Sequence, residues 1–311
     1  MAWPDAVSVG VGPGPVLGQR FGGLVSRPRL RCGTNGLAAP SSPSQQPPQG
    51  VPTLPATSAL PDEPAAQKPQ PPTSAAVPPA APAARVAVLI YHQVCWDDGG
   101  TFVVSPDRLA ADLGWLLSQG WQPIDFAGFV AWHAGELMLT GDHFLLTFDD
   151  GYQGVADYAL PLLQEMAIPA VLFLTTGDLD RGSGLTTPGA RALLDSGLFS
   201  LQNHSHGLHH QVSEGGLWQA ATTLASPAEL VADLLSANKI IRKLGAPNPV
   251  AFAWPYGEHT PAATAAVREL FPLLFGTEEV LAQAGVSLTG RIGMDWRSHE
   301  AVRRLFGSLS P

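Results

Sequence analysis

The stretch TFDDGY, Thr147 to Tyr152, sets two carboxylates side by side, Asp149 and Asp150. Adjacent like charges repel unless something positive holds them, and a turn after a strand needs only one capping acid. A metal ion would account for the pair: one carboxylate ligates it, and the other stays free as general base for a bound water. The stretch QNHSHGLHH, residues 202–210, packs four of the nine histidines into seven residues. Imidazole suits zinc, iron, nickel or copper, and two imidazoles with one carboxylate leave a coordination position open for water. Taken singly, DDG is compatible with a capped turn, and the histidines with a solvated loop.

These groups sit at the ends of short apolar runs rich in β-formers. VAVLIYH (86–92) reads as a strand closing on Tyr91 and His92, HFLLTF as one closing on Asp149 and Asp150, AVLFLTT (170–176) as a third, and LFSLQNH (198–204) as one closing on His204. PVAFAW leads into Pro255-Tyr256-Gly257, and PLLFGT and GRIGM are weaker strands. Helical patterns alternate with them. Ser105 and Pro106 open one, a helix occupies 152–166, another lies near 187–196, and Ser226-Pro227-Ala228-Glu229 is a capping box for a helix reaching Leu244. Thr260-Pro261 starts the next, and a last helix fills 298–307. Repeated β-then-α units predict an α/β fold, a distorted or incomplete (β/α) barrel of about seven parallel strands. In such a barrel the C-terminal strand ends share one face, so the distant polar segments would converge there.

Together the segments resemble the polysaccharide deacetylases, the carbohydrate esterases of the NodB type, and within them the branch acting on poly-β-1,6-N-acetylglucosamine. TFDDGY matches the family's first motif, HSHGLH the branch's H-[ST]-x-x-x-H, and FAWPYGE its F-A-[YW]-P-Y-G-E; LIYHQV resembles its N-terminal Tyr-His segment. The resemblance covers about residues 86–296. It implies Asp149 as general base, Asp150, His204 and His209 as ligands of one divalent metal (zinc, with nickel, cobalt or iron as alternatives), and His92 as the acid that protonates the leaving amine. It also implies that the Tyr256 N–H, held by Pro255, helps bind the oxyanion. Trp254, Tyr152 and Pro255 are candidates for contact with substrate, with barrel packing at least an equal reading for Trp254 and Tyr152.

Three departures stand beside the match. Ala251 and Ala253 occupy places where more typical members carry arginines, one of them pairing with the base. His206 and His210 form a second pair, spaced i, i+4, that could replace His204 and His209 as ligands. Asp295-Trp296 is only faintly similar to the family's Asp-Trp segment, and reads first as a surface acid beside a core tryptophan.

The implied partner is a polysaccharide rich in N-acetylglucosamine, with chitin oligomers, peptidoglycan or another acetylated glycan as alternatives, and a non-catalytic, metal-dependent sugar-binding module as the reading of another class. Composition bounds the rest. Of 30 prolines, 18 precede Arg85, among Ala, Ser, Gln and Gly, so residues 1–84 read as a disordered spacer and 85–311 as the catalytic domain. The spacer carries five Lys/Arg against three Asp/Glu, and the domain 12 against 23. An acidic domain with no basic stripe argues against a nucleic-acid partner. No window approaches the ~18 apolar residues of a membrane span. No signal peptide is readable at Met1, because Asp5 comes early and Gly12-Pro13-Gly14-Pro15 breaks the apolar part; an extracellular or envelope location is the family's expectation, with possible association to an envelope surface.

Overall fold

A computed structural model describes residues 84–97, 100–214 and 216–308. The disorder expected of residues 1–84 lies, but for Ala84, outside the described residues.

Seven parallel strands form the path of one curled sheet, β1 Arg85–Tyr91, β2 Asp142–Phe148, β3 Ala170–Leu174, β4 Phe199–Asn203, β5 Ala251–Ala253, β6 Leu273–Phe275 and β7 Ile292–Gly293, and a two-residue eighth, Gln122–Pro123, pairs with β2 off that path. Their spatial order is β6-β5-β4-β3-β2-β1-β7, so the last strand returns beside the first. Thr289, just before β7, bridges to Phe275 on β6 and brings the two ends of the sheet toward closure. The expected incomplete barrel of about seven strands is therefore the observed architecture.

Period-two alternation sorts the side chains. On β1, Ala87, Leu89 and Tyr91 join the layer between sheet and helices, while Val86 and Val88 face the barrel interior. On β2, Phe144, Leu146 and Phe148 face the helices and Leu145 faces inward. Parity then carries Thr147 and Asp149 to the interior. On β5 the alanines Ala251 and Ala253 face in, and Phe252 faces out with Trp254. The interior is thus lined by aliphatic, small and aromatic groups, and the polar residues of the site enter at the strands' C-terminal ends.

Six helices cover the outer layer, α1 Pro106–Ser118, α3 Leu160–Met166, α4 Thr187–Asp195, α5 Pro227–Lys243, α6 Pro261–Arg268 and α7 His299–Ser308, whereas α2 Phe126–His133 packs its Phe129 with the inward-facing residues, 5.8 Å from the Phe275 ring. The caps are those read from sequence. Ser105 accepts from the Arg108 N–H, and the Ser226–Glu229 box is fully formed. Two elements differ from expectation. The helix expected from residue 152 begins with a wider π turn at Val155–Ala159, because Pro161 has no N–H for the carbonyl four residues back. An antiparallel hairpin, Gln211–Glu214 with Leu217–Ala220, follows the histidine loop. Its strands lack apolar alternation and are mostly exposed, so no period marks them.

Candidate active site

Asp149 ends its strand inside the barrel, 3% exposed. Arg291, also fully buried, donates from Nη1 and Nη2 to its two oxygens at 2.7 and 2.8 Å, and from Nε to the Gly276 carbonyl. The guanidinium lies 5.2 Å from the Phe173 ring centroid. Burial alone would raise the Asp149 carboxyl, but Arg291, with His204, holds it below the ordinary aspartate range. The charge partner absent from positions 251 and 253 thus arrives from the residue just before β7. Sequence reading missed Arg291: it lies next to the weakest strand, with no motif around it, and only its parity with Gly293 hinted at an inward side chain.

Asp150 turns the other way. Its φ is +69°, a conformation costly for a residue with a Cβ, and Ser205 and Tyr256 share it at +75° and +59°. Three strained residues cluster at strand ends around one spot, as strain retained at functional sites does. The Oδ1 of Asp150 lies 3.0 Å from His209 Nε2 and 3.4 Å from His204 Nε2. Burial opposes ionisation of Asp150, yet the His209 and His204 rings hold its carboxyl well below the usual range. Burial, together with the Asp150 charge nearby, pushes the Tyr152 phenol up.

His204 is 2% exposed, and its Nδ1 sits 2.8 Å from the Ala253 carbonyl. A carbonyl only accepts, so Nδ1 carries the proton and Nε2 keeps its lone pair toward Asp150. The His209 ring stacks on Tyr256 at 5.1 Å. Among the described residues Asp150, His204 and His209 are the one group of three such donors gathered within 4.8 Å. An ionised carboxylate and an imidazole with its proton fixed on the far nitrogen, at separations natural for donors about 2.0–2.2 Å from one ion, fit a divalent metal. The alternative pair is not brought there. His206 Nδ1 bonds the Thr176 hydroxyl, and exposed His210 bonds the Gly207 carbonyl. These two instead line a polar cleft of about 330 Å³ beside the trio, with Asp178, Arg181 and His209.

The loop is held from α5. The Asp233 carboxylate accepts from the His206 and Gly207 N–H groups at 2.8–3.0 Å, and Asn203 donates to Asn238. Close approach on the other side needs a glycine: a Cβ on Gly177 would stand 2.1 Å from the His206 carbonyl.

His92 faces this cluster from the end of β1. Asp295 Oδ2 accepts both the His92 backbone N–H and the ring Nδ1–H, each at 2.8 Å. Burial pulls the imidazole's pKa down, but Asp295, with Asp150 and Asp149 nearby, brings it up to about 9. The surface-acid and core-tryptophan reading of Asp295-Trp296 is reversed: Asp295 is 7% exposed and Trp296 is 37% exposed. Trp296 folds back so closely that a Cβ on Gly293 would lie 1.5 Å from its ring, and with Phe102 it walls His92.

Trp254 also needs correction. It is 1% exposed and packs edge-on against Phe252 in the layer under α5 and α6, so it meets no sugar. Parity decides this, since Ala253 takes the inward place. Pro255 is likewise buried, beneath the half-exposed Tyr256.

Residues 139–271 match the family described as polysaccharide deacetylase. A poly-β-1,6-N-acetyl-D-glucosamine N-deacetylase of Escherichia coli K12 is 25% identical over 213 residues, 58% of this chain and 32% of that protein. The chain therefore spans about a third of that relative's length. A poly-β-1,6-N-acetyl-D-glucosamine N-deacetylase of Staphylococcus aureus is 25% identical over 117 residues, 36% of this chain and 39% of that protein. Among solved structures, IcaB from Ammonifex degensii superposes with a TM-score of 0.66 at 22% identity, covering 72% of this chain and 98% of that one. A de-N-acetylase from Aggregatibacter actinomycetemcomitans gives 0.65 at 23%, covering 71% and 99%. Both share the fold.

Proposed function

Because residues 139–271 match the polysaccharide deacetylase family, we propose that this chain is a metal-dependent N-deacetylase of an N-acetylglucosamine polymer, with poly-β-1,6-N-acetylglucosamine as substrate. The observation that carries the reading is the division between two adjacent acids: Asp150 turns to two imidazoles, and Asp149 stays off them, buried on Arg291. The named substrate of the E. coli and S. aureus relatives supports the choice of polymer.

Asp150, His204 and His209 would hold the metal. A divalent ion there, zinc in our reading, supplies Lewis-acid polarisation of an acetamide carbonyl and lowers the pKa of water. Asp149 accepts the proton of the attacking water, its carboxylate kept ionised and aimed by Arg291. Water oxygen bonds to the carbonyl carbon, and the Tyr256 N–H donates to the oxygen that gains charge. The C–N bond then breaks as His92 Nε2–H gives its proton to the amine nitrogen. Asp295 fixes that tautomer by taking the Nδ1–H. Acetate leaves, and a glucosamine amine remains on the polymer.

The place of action that goes with this substrate is extracellular or in the cell envelope. Among the described residues no helix is long and apolar enough to cross a membrane. The test is acetate release from poly-β-1,6-N-acetylglucosamine, chitin oligomers and peptidoglycan, by protein stripped of metal and reloaded with zinc, nickel, cobalt or iron. Release from the first alone, restored by metal, is expected. Release from another glycan instead would overturn the substrate. Binding of polymer with no release under any ion would make the chain a sugar-binding module.

A further inference from the structure

A second buried carboxylate lies outside this site. Asp112, on α1, is fully buried, where an ionised group survives only if its lone pairs are met. They are met by three side chains. Arg108 Nε donates at 2.9 and 2.8 Å, the Tyr91 hydroxyl at 3.0 Å, and the His299 ring bonds Oδ1 through Nδ1. Arg108 Nη2 goes on to the Arg297 carbonyl at 2.9 Å.

The sequence positions of these partners give the cluster a meaning. Tyr91 immediately precedes His92, while Arg297 and His299 stand two and four residues beyond Asp295. The ladder between β1 and β7 ends at Ile90–Gly293, with one further bond from the Met294 N–H to the Ile90 carbonyl. Past that bond, Asp295 and Trp296 lie in a turn whose far side is fixed by the Arg297 and His299 contacts. Arg297's own side chain closes the turn onto the Gly293 carbonyl and Glu279. One carboxylate on α1 therefore ties down the chain next to each member of the His92–Asp295 pair.

We propose that Asp112 is a positioning residue for the reaction, holding the turn that carries Asp295 in register with His92. This rests on the reading of His92 as proton donor. The groups facing the His92 ring are Asp295, Asp149 and Asp150, with Phe102 and Trp296 as apolar walls. Loosening the turn would move the first of these and leave the other two in place.

The experiment compares full-length wild type with Asp112→Asn, and with His299→Gln in case the first fails to fold, since the His299 side chain is one-third exposed. NMR titration of the His92 ring in metal-stripped protein is the readout that a merely structural clamp would not move. The proposal expects the His92 midpoint to fall by about one unit, a tenfold change in protonation ratio. It also expects kcat in metal-loaded protein to fall by about tenfold with KM little changed. A lowered melting temperature with the His92 titration and kcat both unmoved would overturn it. Because the titration needs no substrate, wild type that releases no acetate would count against the deacetylase reading alone.

Discussion

Arg291 reaches both oxygens of Asp149 across 142 residues of sequence, in a barrel interior where the two side chains are 0% and 5% exposed. A pair this buried contributes little relative to apolar packing, but half of it is costly, because the remaining charge has no water to turn to. Arg291→Leu should therefore destabilise the fold by about 3–5 kcal/mol, read as a lower urea midpoint at unchanged slope. Acetate release should fall with it even under conditions where the variant is fully folded, since Asp149 would lose its orientation. Full activity in the folded variant would show that the base needs no guanidinium.

Asp149→Asn tests the base itself. The amide cannot accept the water proton, so kcat should fall by about 10²–10⁴. Metal stoichiometry, measured by elemental analysis after dialysis, should stay at that of wild type, because Asp150, His204 and His209 are untouched. Near-normal turnover would remove Asp149 from the mechanism. Loss of metal would mean that Asp149 belongs among the ligands.

The histidine register makes a sharper contrast. His209→Ala removes a donor 3.0 Å from Asp150, and metal affinity should drop by more than the about 10–100-fold that loss of an outer hydrogen-bond partner costs. His206→Ala removes only a bond to Thr176, and affinity should remain within that smaller range. Direct metal titration of the two variants decides between the pairs, and equal losses would return the second register to consideration.

The seven strands were legible because they rest on local signals, apolar runs and capping residues such as Ser226 and Glu229, and the family motifs marked Asp150, His204 and His209, which the fold gathers within 4.8 Å. What stayed hidden depends on contacts between distant segments. Arg291 and Asp295 sit on or beyond a two-residue strand, and nothing near them in sequence reports that one will reach Asp149 and the other His92. Asp233 is an ordinary polar residue of α5 until the fold sets it under the His206 and Gly207 N–H groups. Trp254 was ambiguous for a different reason. Its face depends on strand parity, and a one-residue slip in register exchanges sheet faces.

The His92–Asp295 pair yields a prediction about pH. In metal-stripped protein the His92 ring should titrate near 9, raised above its ordinary 6.5 against the pull of burial. Asp295 supplies the larger part of that rise, so Asp295→Asn should bring the midpoint down toward or below 6.5. The sign for stability follows from linkage. A group whose folded pKa lies above its unfolded value stabilises fully below the unfolded value, and that contribution is lost as pH rises through the folded one. Wild type should therefore shed stability on the order of 3 kcal/mol between pH 6.5 and 9, from a shift of about 2.5 units. Asp295→Asn should shed much less over the same window. Urea midpoints of the two metal-free proteins at pH 6 and pH 9.5 would show it: parallel curves would mean that Asp295 does not hold the His92 proton, and converging ones that it does.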